Sequence, residues 1–136
     1  MKKANIFLML ILLTTLPIIS AIRLRSAVKL DQYPQAHSNP LGLLTTLTKN
    51  NDTIILFYSN ECGPCQTTNP IFDELAELFP SITFIKIEFD SFDEVIYEYK
   101  INRIPTILFI HRGKIIKRHI GSLTKETGIK IIKKIY

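Results

Sequence analysis

The chain is poor in the residues that staple or punctuate a fold. It has two cysteines, no tryptophan, five glycines and seven prolines in 136 residues. Two cysteines allow one intramolecular disulfide at most, and Cys62 and Cys65 would close a loop too short to serve as a scaffold staple. A disulfide framework is excluded. The scarcity of glycine and proline excludes collagen-like and low-complexity chains. Charged residues make up 21% against 46% hydrophobic, so the chain does not carry the high-charge, low-hydrophobicity signature of disorder. Against roughly 100 to 200 residues per domain, the length leaves room for one domain and none for a two-domain enzyme.

No single apolar run reaches the roughly 20 residues that a membrane-spanning helix needs. The longest, Ile6 to Ile19, is 14 residues interrupted by Thr14, Thr15 and Pro17; Lys2 and Lys3 precede it and the small pair Ser20-Ala21 follows. A positive start, a short apolar stretch and small residues are the pattern of a secretory signal peptide. Ile19 in place of a small residue, and Arg23 and Arg25 close behind, keep two alternatives open, a retained N-terminal anchor and a buried helix of the fold. The expected organisation is a signal peptide or membrane anchor over 1–21 and one domain over 22–136, placed outside the cytoplasm, with membrane association through residues 6–19 if the segment stays.

Excess charge of one sign is small, +5, but unevenly spread. Asp52 to Glu98 holds ten acids and one base, Lys86, whereas Arg112 to Lys134 holds eight bases and one acid, Glu126. One flank is acidic and one basic. A basic flank suits anionic lipid, an acidic partner or plain solvent. Nucleic acid is disfavoured, because no aromatic is interleaved before Tyr136 to stack on bases.

What is present is a regular alternation of elements. Ala27-Val28-Lys29-Leu30 reads as a short edge strand. Ser38-Asn39-Pro40 opens a helix whose face is Leu41, Leu44 and Leu47, and Asn50-Asn51-Asp52 ends it. Thr53 to Tyr58 is an unbroken β-branched and aromatic run, the look of a central strand covered on both faces. Cys62 to Phe79 follows as a helix with Ile71, Phe72, Leu75, Ala76, Leu78 and Phe79 inward, a kink at Pro70 and a stop at Pro80. Ile82 to Phe89 is a strand, Phe92 to Lys100 a short helix, and Thr106 to Ile110 and Ile115 to Ile120 an antiparallel hairpin turned by His111-Arg112-Gly113-Lys114. Thr124 caps a last helix with Ile129, Ile132 and Ile135 inward. Helices that cross between buried strands imply an α/β fold, a mixed sheet between helical layers.

Cys62-Gly63-Pro64-Cys65 falls where a buried strand meets a helix N-terminus. Unpaired N–H groups and the helix dipole favour a thiolate on the first cysteine there, and the second is close enough to resolve a mixed disulfide. Half of a zinc site and an inert disulfide are the alternatives. A closed zinc site needs four ligands, and His37, His111 and His119 lack the paired spacing of a finger or ribbon. Ile104-Pro105-Thr106 opens a strand forty residues on. Its proline is either an ordinary trans residue at a strand start or a cis one that exposes the backbone of Ile104 to an extended substrate.

Phe57 to Gly121 resembles the thioredoxin family. The matches are Cys-Gly-Pro-Cys at 62–65, Pro70 inside the helix, Lys86 and Asp90 on the next strand, Ile104-Pro105-Thr106, and Gly113 and Gly121. The resemblance implies a thioredoxin-like fold and thiol-disulfide oxidoreductase activity in cell redox homeostasis. Cys62 would attack, Cys65 resolve and cis-Pro105 shape the substrate groove, flanked by Gly63, Pro64, Ile104 and Thr106. No cofactor or metal is implied beyond the redox-active pair; the partners implied are cysteine-containing protein substrates and a thiol electron donor. Lys86 would adjoin the buried side of the site. Two positions depart from the family pattern. Glu61 stands where a tryptophan usually precedes the first cysteine, and its charge would oppose a neighbouring thiolate. Leu56 stands where a buried aspartate usually serves the resolving cysteine as a base. Both suit a specialised protein acting on exported substrates. They also suit a substrate-binding or membrane-tethered, partner-specific module with weak redox turnover.

Overall fold

The computed structural model describes residues 26–136, so the expected signal or anchor segment over 1–21 lies outside the described residues. Its elements in chain order are β1 (Val28–Lys29), a 3-10 turn (Leu30–Gln32), α1 (Pro40–Lys49), β2 (Asp52–Tyr58), α2 (Gly63–Leu78), β3 (Thr83–Glu88), α3 (Asp93–Glu98), β4 (Thr106–His111), β5 (Lys114–Ile120) and α4 (Lys125–Ile135). One five-stranded sheet runs in the order β1-β3-β2-β4-β5. β1 and β2 lie parallel to β3, whereas β4 runs antiparallel to both β2 and β5. The sheet is mixed and β2 is its middle strand, as the unbroken apolar run from Thr53 to Tyr58 implies.

Strand alternation divides that run between two cores. Ile54, Leu56 and Tyr58 face α2 and α4, joined by Phe72, Leu75 and Ala76 from α2 and Ile132 from α4. Ile55 and Phe57 face the other way, against Leu44 of α1 and Val95 of α3. Every residue from Thr53 to Tyr58 is at most 2% exposed. Because both cores draw on β2, the point where this strand ends is fixed from both sides.

The local signals behave as their chemistry requires. Asn39 caps α1 by accepting the Gly42 N–H at 2.9 Å, and Thr124 caps α4 by accepting the Thr127 N–H at 3.2 Å. Arg112 and Gly113 both take positive φ, 46° and 80°, in the turn of the β4–β5 hairpin. The Tyr136 hydroxyl lies within hydrogen-bonding distance of two carbonyls, Thr53 at 3.2 Å and Ile110 at 3.0 Å, and ties the end of α4 to the start of β2. Burial raises the pKa of this phenol, so it stays protonated and remains a donor.

One expectation fails. Leu78 is 50% exposed and not part of the inward stripe. At 100° per residue it lies about 120° around the helix from Phe72, outside the arc formed by Cys65, Thr68, Phe72, Leu75 and Ala76.

Gly128 is buried where α4 crosses α2, and a Cβ there would come within 2.5 Å of Leu75 Cδ1 and 3.3 Å of Leu123 Cδ2. Leu75 is itself 1% exposed, so its side chain gives way only by repacking the core around it. Gly128→Ala should therefore destabilise the protein by about 1–3 kcal/mol through overpacking, against the gain of up to about 1 kcal/mol that alanine brings to an open helix site. Thermal melts of the two proteins check the sign.

Candidate active site

Cys62 is the N-cap of α2, with extended backbone (φ −86°, ψ 110°), and the helix begins at the next residue with Pro64 in its first turn. The Cys62 carbonyl accepts the N–H groups of Cys65 and Gln66, at 3.1 and 3.2 Å. The Cys65 N–H also lies 3.3 Å from the Cys62 sulfur. The two cysteines form a disulfide with their Cα atoms 5.2 Å apart. Their surroundings differ sharply: Cys65 is 0% exposed in the core with Leu56 and Phe72, whereas Cys62 is only partly covered. Gly63 and Pro64 are exposed, and no atom lies within 4 Å of where a Gly63 side chain would start.

β4 begins where β2 ends. Thr106 pairs with Phe57, so Pro105 lies at the edge of the sheet from which the chain leaves toward Cys62. The Ile104–Pro105 bond is cis. The Pro105 carbonyl accepts the Gly121 N–H at 2.8 Å, and Thr106 Oγ1 donates to the Arg103 carbonyl at 2.7 Å. Thr106 is 1% exposed, so its hydroxyl shapes the loop from within, and Ile104 is the half-buried residue at the surface of this loop. Thr68, one turn after Cys65, donates to the Pro64 carbonyl at 3.0 Å and accepts the Leu123 N–H at 3.3 Å. That latch joins α2 to the segment entering α4 and has no signature in the sequence.

Lys86 lies directly across the β2–β3 ladder from Leu56. Both are buried on the face that holds Cys65; no carboxylate occupies position 56 to receive the ammonium. Instead Lys86 Nζ donates to Asp73 Oδ2 at 2.7 Å. Asp73 reads in the sequence as an outward acid of α2. Its place about 100° around the helix from Phe72 puts it on the flank, within reach of β3. Glu61 is exposed, so water screens its charge, and its N–H donates to Ser59 Oγ at 3.2 Å. Asn60 donates to Glu88 Oε1 at 2.6 Å and steadies the loop before Cys62. Among the described residues no three His, Cys, Asp or Glu side chains are grouped to hold a metal ion.

A redox-type cysteine pair at a helix N-terminus, beside a cis-proline loop, defines a thiol-disulfide oxidoreductase. Comparison with known proteins places it further. The model of the thioredoxin family matches residues 43–134. A thioredoxin of Mycoplasmoides gallisepticum is 35% identical over 96 residues, covering 71% of this chain and 96% of the relative. An H-type thioredoxin of Ricinus communis is 34% identical over 91 residues, covering 64% and 77%. The crystal structure of thioredoxin from Trypanosoma brucei brucei shares the fold, with a TM-score of 0.67 at 23% identity over 83% of this chain and 96% of that one. The chain belongs to the thioredoxin family. Proteins of this family act on cysteine-containing protein substrates, exchange electrons with thiol donors, and need no cofactor beyond their own cysteine pair.

The Lys86–Asp73 pair is asymmetric, with side-chain exposures of 11% and 41%. Removing the acid strands a buried cation, whereas removing the cation leaves an acid that water can solvate. Asp73→Asn should cost about 1–3 kcal/mol, and Lys86→Met should be near neutral or stabilising. Urea denaturation of both variants distinguishes this from an ordinary surface pair, for which both changes would be small.

Proposed function

We propose that this protein reduces or exchanges disulfides in exported proteins, outside the cytoplasm, with Cys62 as the attacking thiol and Cys65 as the resolving one. The observation that carries the role assignment is the difference in burial between the two sulfurs at one helix N-terminus. In the reduced protein the Cys65 N–H that now meets the Cys62 sulfur would face a thiolate, and the helix dipole favours the same charge. The Cys62 thiolate attacks one sulfur of a substrate disulfide, whose partner leaves as a thiolate. Cys65, once deprotonated, attacks the Cys62 sulfur. The substrate's second thiol is released, the substrate gains two electrons, and the enzyme keeps the Cys62–Cys65 disulfide. An external thiol donor restores the dithiol. Ile104, half exposed before cis-Pro105, offers backbone for an extended substrate to pair with.

The exported setting rests on the signal-like pattern of residues 1–21. Cell fractionation with an antibody to residues 26–136 tests it. Recovery in a secreted or lumenal fraction, or on its membrane, is the expected result, and recovery in the cytosol would contradict it.

Leu56 favours a second reading, a module that holds extended or partner-specific segments beside Pro105 and turns over slowly. A buried leucine near Cys65 supplies no base, and Lys86 is occupied by Asp73. Insulin reduction followed by turbidity separates the two readings: sustained turnover with a thiol donor supports the reductase, and stoichiometric capture without turnover supports the module.

Two outcomes test the roles. Cys65→Ser should accumulate mixed disulfides with substrates, seen as mass-shifted bands that a reductant collapses, and Cys62→Ser should trap none. Leu56→Asp places a carboxylate across the ladder from Lys86. It should speed the resolving step near neutral pH by roughly tenfold or more, as a general base does, while lowering stability by about 2–4 kcal/mol. Stopped-flow exchange across pH together with thermal melts reads both; a change in neither would place residue 56 away from the resolving thiol.

A further inference from the structure

Thiol exchange makes no use of the far edge of the sheet. There Phe109 pairs with Lys117 and Ile110 with Ile115, so Ile116 is an extra residue in the β4–β5 ladder, a bulge. A bulge breaks strand alternation, and Ile116 and Lys117 both line a groove of about 520 Å³ between β5 and α4. The groove is completed by Lys130, Ile131, Lys134 and Ile135 of α4, with no acid among its lining residues. Ile116 is 53% exposed. Around the groove, Lys125 is held by Glu74 and Arg118 by the Tyr99 carbonyl. Among the described residues, Arg112, Lys114, Lys117, Lys130, Lys133 and Lys134 form no ion pair.

We propose that this groove docks the protein on an anionic phospholipid surface. Lysine stems lie along apolar surface and present their charge outward, so isoleucines flanked by unpaired lysines match the boundary between acyl chains and anionic headgroups. The same composition argues against a protein partner, because interface cores are enriched in aromatics and arginine and depleted of lysine. It also argues against nucleic acid, since no aromatic lines the groove to stack on bases. Placement supports the assignment. Tyr136, at the end of α4, bonds to the carbonyls of Thr53 and Ile110, at the end of the sheet opposite Cys62 and Pro105. A membrane held there leaves the disulfide facing away from it, so docking and exchange do not compete.

Co-sedimentation of the full chain with vesicles tests the proposal, one set of phosphatidylcholine alone and one of phosphatidylcholine and phosphatidylserine in equal parts. Residues 6–19 are common to every protein compared, so the informative signal is the gain that phosphatidylserine brings and its loss with salt. The double variant Lys130→Gln, Lys134→Gln should bind the mixed vesicles roughly thirtyfold more weakly, at about fivefold per lysine. The double variant Lys29→Gln, Lys100→Gln, which removes the same charge elsewhere, should change binding less than about twofold. Equal binding of the unmodified chain to both vesicle types would overturn the proposal, as would equal losses in the two double variants. Polyglutamate binding with the Lys130 and Lys134 dependence, in the absence of vesicle binding, would assign the groove to an acidic protein and overturn it as well.

Discussion

The transition from β2 to α2 sets the geometry on which the rest of the active end depends. β2 is the middle strand and is buried on both faces, so its last residue, Tyr58, cannot shift without disturbing two cores. α2 is pressed onto one of those faces by Phe72, Leu75 and Ala76, which fixes the direction in which its N-terminus points. Cys62 caps that N-terminus and Cys65 completes the first turn. Cys62 is therefore partly exposed with the Cys65 N–H beside its sulfur, while Cys65 is sealed in the core. The cis-Pro105 loop is fixed by the same strand, because Thr106 is paired to Phe57. The difference in burial between the two cysteines follows from packing around β2 more than from any property of the cysteines alone.

The electrostatics beneath the site turn on Lys86. Lys86 is buried across from Leu56, but its ammonium turns to Asp73 on the flank of α2. A buried cation needs a partner, and with a leucine opposite, the nearest available carboxylate belongs to the helix. The Cys65 side of the disulfide is therefore apolar, lined by Leu56 and Phe72. In the proposed roles, Cys65 resolves the mixed disulfide from a pocket in which Leu56 offers no base.

Much of this was legible in the sequence for identifiable reasons. Thr53 to Tyr58 reads as a central strand because nothing polar interrupts it beyond its first residue, and the hairpin at Arg112-Gly113 because few residues accept successive positive φ. The Cys62–Cys65 pair was legible because thiol exchange restricts residue type and spacing, whereas the cis bond before Pro105 was implied by the family resemblance. What escaped is set by angle and register. Leu78 carries an inward residue type but lies outside the buried arc of α2, and Asp73 looks like a solvent acid until its flank position is known. The Thr68–Leu123 latch joins residues 55 positions apart, and the bulge at Ile116 exists only in the pairing of β5 with β4. No local pattern reports such long-range contacts.

The central claim is that Cys62 and Cys65 form a reversible exchange couple and not an inert staple. Its most direct test is equilibration of the protein with dithiothreitol or glutathione redox buffers, with the reduced fraction read by thiol alkylation and mass. The account predicts one reversible two-electron transition at a potential between about −270 and −180 mV, the span of thioredoxin-type and isomerase pairs. A pair that stays oxidised below about −300 mV, as structural disulfides do, would contradict it.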